Sequence, residues 1–464
     1  MDRVEEVVDW ALTRGFWNVL NFHHDSWKWA DLTIENDTLE ERKRKIEALW
    51  VQIADRFKWK QEKLIFEPLN EPAGSSSQKN AEQYNDANQR FVDIVRNSGG
   101  YNKDRLLTIP GLNTNIQRTV DWFREPVGVG NYILHVHDYD PWPFVSASWG
   151  RTFWGTQADK DEIEKTFIAL QNCFQAPALI GEWGFTSTSI ELGASWRYFD
   201  FFVRTSAKYQ LASQLWDNGN DHFDRAARKW RDPVKLEIIH NAIKGVNNSL
   251  PSYNQEPKLY FSVDTKSAPV GDRAFAIDWN GNTLREIRLG STSGRALRKG
   301  KDYTITSSGI TISSTYLTSL LSTYPADTLG PLTTLHPIFS KGISFPVSLV
   351  RSGVPVVPDG HKKITVSDTS SSLLIPVDWK GTQLATVKAM KRDGGILKDD
   401  WTIGLGPLEQ GRLNWGDFDT VANGVTIGSV VLGLVKSAGQ EVDFTLEFWP
   451  RAERNSVTVT VTAA

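Results

Sequence analysis

Two stretches decide the fold: Phe66-Glu67-Pro68-Leu69-Asn70-Glu71-Pro72 and Ile180-Gly181-Glu182-Trp183-Gly184. Each carries a short apolar run to a glutamate, and a residue that breaks regular structure follows, Pro72 in one case and Gly184 in the other. Buried strands of a parallel sheet have this character, and the carboxyl ends of such strands are where βα proteins build their sites. Working outward, strand candidates recur at Trp17–Phe22, Lys63–Leu69, Leu106–Ile109, Tyr132–Val136, Ala178–Gly181 and Leu211–Trp216. Helical periodicity fills the intervals. Val4, Val7, Val8, Ala11 and Leu12 share one face before Gly15. Ile46, Leu49, Trp50, Ile53 and Phe57 share another, with Asp37 or Thr38 as N-cap. A polar helix is expected from Ala81 to Arg96 and a last one from Asp232 to Lys244. The alternation predicts an α/β region with a parallel sheet over residues 1–250. Six strands are two short of a (β/α)8 barrel. The pattern alone leaves a six-stranded open sheet beside a barrel that lacks its first two βα units.

Past a linker at Pro251–Pro257 the chain turns Ser/Thr/Val-rich, with frequent turns and little helical periodicity, which predicts all-β structure. An internal repeat runs through it. Asp278-Trp279-x-Gly281-x-x-Leu284 recurs as Asp378-Trp379-x-Gly381-x-x-Leu384, Asp302-Tyr303-Thr304-Ile305 as Asp400-Trp401-Thr402-Ile403, and Gly309-Ile310-Thr311-Ile312 as Gly424-Val425-Thr426-Ile427. Two sandwich-like modules are therefore expected, at 258–352 and 358–464, joined near Val354–Asp359. The offsets are 100, 98 and 115 residues, so the second copy carries 17 extra residues within Gly404–Asn423. Trp279 and Trp379 occur in both copies and are expected to be structural, as is Trp401 opposite Tyr303. Trp415 has no counterpart and sits in a polar, glycine-containing loop, which makes it a ligand-contact candidate; Trp449 is a weaker one.

Composition removes several classes of function. Of 464 residues, 52 are Lys or Arg and 55 Asp or Glu, a net charge of −3 that suits neither nucleic acid nor an anionic membrane. The longest uncharged stretch, Tyr303–Ala326, is half Ser or Thr and predicts no membrane span. One cysteine, Cys173, cannot make a disulfide framework. No basic-then-apolar leader opens the chain. Tryptophan is abundant, with 14 of the 19 before residue 250. Most are expected to serve the core. The remainder point to carbohydrate, whose C–H faces stack on indole plates.

The chemistry follows from the strand ends. Glu71 and Glu182, each closing a strand, suit acid/base plus nucleophile work, and a separation of about 5 Å would mark a retaining glycosidase. Asn70 can donate to a substrate hydroxyl. His23 and His24 end another strand, and in His135-Val136-His137-Asp138-Tyr139 the period of two puts His135, His137 and Tyr139 on one face. His-x-His could instead chelate zinc. Trp216, in Leu215-Trp216-Asp217-Asn218, can floor a sugar site. No metal and no cofactor are expected.

Together the motifs NFHHD (21–25), FEPLNEP (66–72), IPGLNTN (109–115), HVHDYDPW (135–142), IGEWG (180–184) and LWDNG (215–219) resemble the catalytic domain of glycoside hydrolase family five, near its endoglucanase and xyloglucanase branch. The two β modules resemble an X2-type immunoglobulin-like module and a family forty-six carbohydrate-binding module. The resemblance implies a (β/α)8-type barrel followed by two immunoglobulin-like sandwiches. It implies Glu71 as general acid/base, Glu182 as nucleophile and Asn70 on the sugar 2-hydroxyl. His23 would support the site, His137 and Tyr139 would orient the nucleophile and the acid/base, and Trp216 would be the sugar platform. The family's first two strands, the second with an arginine beside the nucleophile, have no counterpart here, so a barrel without two N-terminal βα units is expected. The implied function is an endo-acting, retaining β-1,4-glucan hydrolase, secreted and monomeric, whose partner is a β-glucan polysaccharide. The alternative is a β-glucan-binding protein with an incomplete, inactive barrel.

Overall fold

The computed structural model describes residues 1–34, 38–146, 151–185, 190–263, 270–398, 411–414, 416–452 and 455–463. Two compact units divide the chain. One comprises Met1–Tyr139, Asp161–Gly184 and Thr205–Trp216, the other Asp140–Lys160, Phe185–Arg204 and Asp217–Ala464.

The first unit is built on six strands: β1 (Asn18–Leu20), β2 (Leu64–Phe66), β3 (Leu107–Asn115), β4 (Tyr132–Asp138), β5 (Ala178–Trp183) and β6 (Ala212–Leu215). They pair in parallel and in sequence order, β1 to β6, as one run of a (β/α)8-type barrel. All three residues of β2 are buried, as its unbroken apolar sequence requires of a strand covered on both faces. Helix α1 (Asp2–Thr13) precedes β1; α2 (Leu39–Phe57) and α3 (Gln78–Asn97) cross over between β1, β2 and β3. Trp50 of α2 is fully buried between Phe22, Phe66 and Phe91, and its indole N–H donates to Pro68 O (3.1 Å). That bond holds the chain just before the Asn70-Glu71 pair. Ser77 caps α3 by accepting from Asn80 N.

The apolar stripe of α1 is wider than the surface it covers. Val8 and Leu12 are buried, whereas Val4 and Val7 are exposed, because the core beneath the helix meets only one side of the stripe. Thr38 stands at the N-cap of α2 but makes no side-chain cap bond; its hydroxyl instead accepts from Arg42. Among the described tryptophans before residue 250, only Trp50, Trp154, Trp183 and Trp196 are fully buried, fewer than a core role for most of them requires.

The second unit holds both all-β modules. In the first, Lys258–Ser262, Val347–Ser352, Gly330–Phe339 and Leu284–Leu289 form one sheet, and Tyr303–Thr306, Gly309–Ile312, Arg273–Asp278 and Leu250–Pro251 the other. In the second, Lys363–Val366, Ser456–Ala463, Val442–Phe448 and Leu384–Lys391 face a sheet of Leu373–Pro376, Gly424–Ile427 and Phe418–Val421. The sequence repeat is a structural device. Trp279 donates to Ser307 O (2.9 Å) and packs edge-on against Phe339; Trp379 donates to Ala422 O (3.0 Å) and packs edge-on against Phe448. Gly309 and Gly424 are alike too. A Cβ at either would fall 2.1 or 2.2 Å from a carbonyl oxygen of the neighbouring strand, Phe275 O or Ile375 O.

Candidate active site

Five strands of the first unit, β1, β2, β4, β5 and β6, deliver candidate residues at or just past their carboxyl ends. Glu71 leaves β2 in a left-handed conformation (φ 40°), which a non-glycine residue adopts at a cost and which clusters at functional positions. Two backbone bonds hold the segment: Asn70 N donates to Phe22 O (2.9 Å), and Asn113 N donates to Pro72 O (2.8 Å). Asn113 and Thr114, from the IPGLNTN motif, are themselves left-handed (φ 57° and 51°). The positions that shape this loop were not legible as such, since the motif reads simply as a strand and its turn.

The carboxylates of Glu71 and Glu182 converge on one imidazole. His137 Nδ1 lies 2.8 Å from Glu71 Oε1 and 3.6 Å from Glu182 Oε2. The Tyr139 hydroxyl donates to Glu182 Oε2 (2.9 Å). Burial first, and then the charge of Glu182, push the Tyr139 phenol far above its usual range, so it is a permanent donor to the carboxylate. His23 Nε2 stands 3.9 Å from Glu182 Oε1, whereas His24 is exposed, which settles which histidine of the pair meets the site. The two glutamates, 111 residues apart in the chain, keep part of their surface open: their side chains are 28% and 14% exposed.

Asn70 is buried, and its Nδ2 has no hydrogen-bond partner among the described residues. An unmet donor beside Glu71 is a group that substrate could satisfy. Trp216 begins where β6 ends. Its backbone N–H donates to Trp183 O (3.0 Å), and the residue stays 37% exposed.

Ligand atoms of Glu71, His137 and Glu182 all lie within 4.8 Å of one another, a spacing a cation could also use. The rival reading, in which His135 and His137 chelate zinc as a pair, does not match this cluster. His135 is not in that cluster; its Nδ1 faces Glu67 Oε1 at 2.8 Å, deeper in the protein. Glu67, fully buried, is the residue the sequence reading passed over, because the motif drew attention to Glu71 instead.

In the C-terminal module, Trp415 lies outside the described residues, as does Trp401. Asp417, two residues on from Trp415, is buried, and both its oxygens accept from Lys398 Nζ (2.7 and 2.9 Å). Trp449 is only 8% exposed, so it is covered and is no open stacking plate.

Residues 1–222 match the model of the cellulase family, glycosyl hydrolase family 5, and residues 259–348 that of carbohydrate binding domain X2. The chain is 32% identical over 425 residues to an endoglucanase B of Paenibacillus lautus, covering 87% of this chain and 70% of that one. Among solved structures, a tri-modular subfamily 4 endo-β-1,4-glucanase of this family from Bacillus licheniformis, in complex with cellotetraose, superposes with a TM-score of 0.87 at 35% identity. The match covers 100% of this chain and 86% of that one. A tri-modular endo-β-1,4-glucanase B from Bacillus halodurans superposes with a TM-score of 0.81 at 25% identity, covering 100% and 86%. With six βα strands that bring a glutamate pair together at their carboxyl ends, and with a relative matched along most of both chains, this chain belongs to the cellulase family, glycosyl hydrolase family 5.

Proposed function

We propose that the chain is an endo-acting, retaining β-1,4-glucan hydrolase. The observation that carries this reading is the carboxylate spacing, with oxygens of Glu71 and Glu182 within 4.8 Å of each other. Carboxyl groups about 5 Å apart leave no room for a water between glutamate and sugar, as an inverting enzyme needs, and suit direct attack instead. Glu182 is the nucleophile. One of its oxygens bonds to the anomeric carbon as the glycosidic C–O bond breaks, and Glu71 gives its proton to the departing oxygen. Glu71, now ionised, then takes a proton from water; that water's oxygen attacks the anomeric carbon, and Glu182 leaves as the free carboxylate. Tyr139 and His23 hold Glu182, His137 spans both carboxylates, Asn70 takes the sugar 2-hydroxyl, and Trp216 offers the platform.

The substrate is a soluble or accessible β-glucan chain, met outside the cell by a monomer. The C-terminal module helps to hold the polymer, and Trp415 is its stacking residue. The test is release of reducing ends from soluble β-glucan, against a Glu182→Ala control, with the product's anomeric configuration followed by NMR. Retained configuration with loss of release in the control supports the reading. Inverted product, or equal release by the control, refutes it.

A further inference from the structure

Strand β5 carries one residue more than its neighbours need just before Glu182. Val136 of β4 pairs with Ile180, but the next residue, His137, pairs with Glu182, so Gly181 is the extra residue of a β-bulge. The same slip is seen against β6, between Ile180 and Trp183. Bulges beside active sites re-aim the side chain that follows. What fills the space opposite this one is the ring of His135: a Cβ on Gly181 would lie 1.7 Å from His135 Nε2. Only glycine lets the imidazole lie against the backbone there.

The ring meets a second buried side chain on its other side, in close contact and without an aligned hydrogen bond. Glu67 is fully buried and His135 nearly so, with Nδ1 2.8 Å from Glu67 Oε1. Asn21 Nδ2 reaches the second oxygen, Oε2, at 3.5 Å. A polar group without solvent needs such a neighbour, and removing one of the two leaves the other costly to bury alone. His135 also meets His137 ring to ring, centroids 5.1 Å apart, and His137 is the imidazole that touches both catalytic carboxylates. We infer that Glu67 and His135 are a buried positioning pair that wedges the bulge at Gly181 and so aims Glu182. Neither touches the reacting atoms. This inference rests on the proposal that Glu182 is the nucleophile.

Two experiments on the full chain test it. The first needs no activity: thermal unfolding of Gly181→Ala, His135→Ala and the double variant. The new methyl collides with the ring only while the ring is present, so His135→Ala should recover part of the Gly181→Ala loss. Simple addition of the two losses overturns the wedge. The second uses Glu67→Gln, which keeps the size of the side chain but changes one acceptor to a donor, and His135→Gln, which keeps a polar group but removes the ring that fills the bulge. Misaiming the nucleophile by a fraction of an ångström to one ångström should lower kcat on soluble β-glucan by about 100-fold. KM should stay within about twofold, and trapping of Glu182 by a 2-deoxy-2-fluoro glycoside should slow in step with kcat. A lowered melting temperature with unchanged kcat and trapping rate reduces the pair to packing and overturns the inference. Absence of turnover in the parent chain strikes the functional proposal instead, and the wedge is then judged by the unfolding cycle alone.

Discussion

Replacing Glu71 by Gln should abolish turnover and stabilise the fold at once. Where both are ionised, two unit charges about 4.8 Å apart, the limit of the cluster, repel by about 3.5 kcal/mol at an effective dielectric constant of 20. That figure is an upper bound for the relief. The Glu71 side chain is 28% exposed, so solvent screens it, and His137 draws both carboxylates toward itself. About 1–2 kcal/mol should remain, since Gln keeps the contact to His137 while removing one charge of the pair. For a region of this size that is roughly 2–8 °C in melting temperature. The assay is calorimetric or fluorescence unfolding of parent and Glu71→Gln across the pH–rate profile, beside hydrolysis of soluble β-glucan. The gain should appear on the alkaline limb, where Glu71 has lost its proton and both carboxylates are charged, and should vanish where Glu71 holds its proton. An equal or lower melting temperature on the alkaline limb refutes the claim that the two carboxylates share one field. Undiminished hydrolysis refutes the acid/base role.

Four further outcomes are expected. Glu182→Ala should regain slow turnover with azide, giving product of inverted configuration, while Glu71→Ala should spare substrates with good leaving groups; swapped behaviour reverses the two assignments. EDTA should leave hydrolysis unchanged and the pH–rate curve should be bell-shaped, because one carboxyl must be protonated while the other is ionised; loss with EDTA and recovery with zinc would move the chemistry to a metal at Glu71, His137 and Glu182. Burial pulls Lys235 down to about 8 from 10.5, so the folded state carries a cost below pH 8 that fades between pH 8 and 10.5, where the unfolded chain binds more protons. Lys235→Met should therefore gain up to about 3 kcal/mol near neutral pH, with the advantage over the parent shrinking above pH 8 in pH-dependent unfolding; a gain independent of pH would point to packing. Trp415→Ala should lower hydrolysis of polymer severalfold and leave short oligosaccharides nearly unchanged, with equal melting temperatures; unchanged polymer kinetics removes the stacking role.

How far these residues can be read without the fold depends on what kind of property is asked for. The inner strands were legible because a strand buried on both faces must be an apolar run, and Leu64-Ile65-Phe66 or Ala178-Leu179-Ile180 admits little else. The glutamates were legible because they close such runs. The twin tryptophan turns were legible because the repeat preserves every residue the turn needs, down to Gly281 and Gly381 at φ 80°.

Periodicity, however, assigns a side chain to a face of its own strand and says nothing about a partner 66 or 111 residues away. That His137 spans Glu71 and Glu182, that His23 rather than His24 approaches Glu182, and that His135 turns to Glu67 are consequences of strand order, register and the slip at Gly181. Burial is likewise decided only in the folded chain. Val4 and Val7 lie on the predicted apolar face and are exposed, Trp449 is covered, and Asp417 is taken up by Lys398, because desolvation is set by whatever packs against a residue and not by the residue itself. The sequence determined which groups reach the carboxyl ends of the sheet; only the tertiary structure decided the distances between them, and those distances set the chemistry.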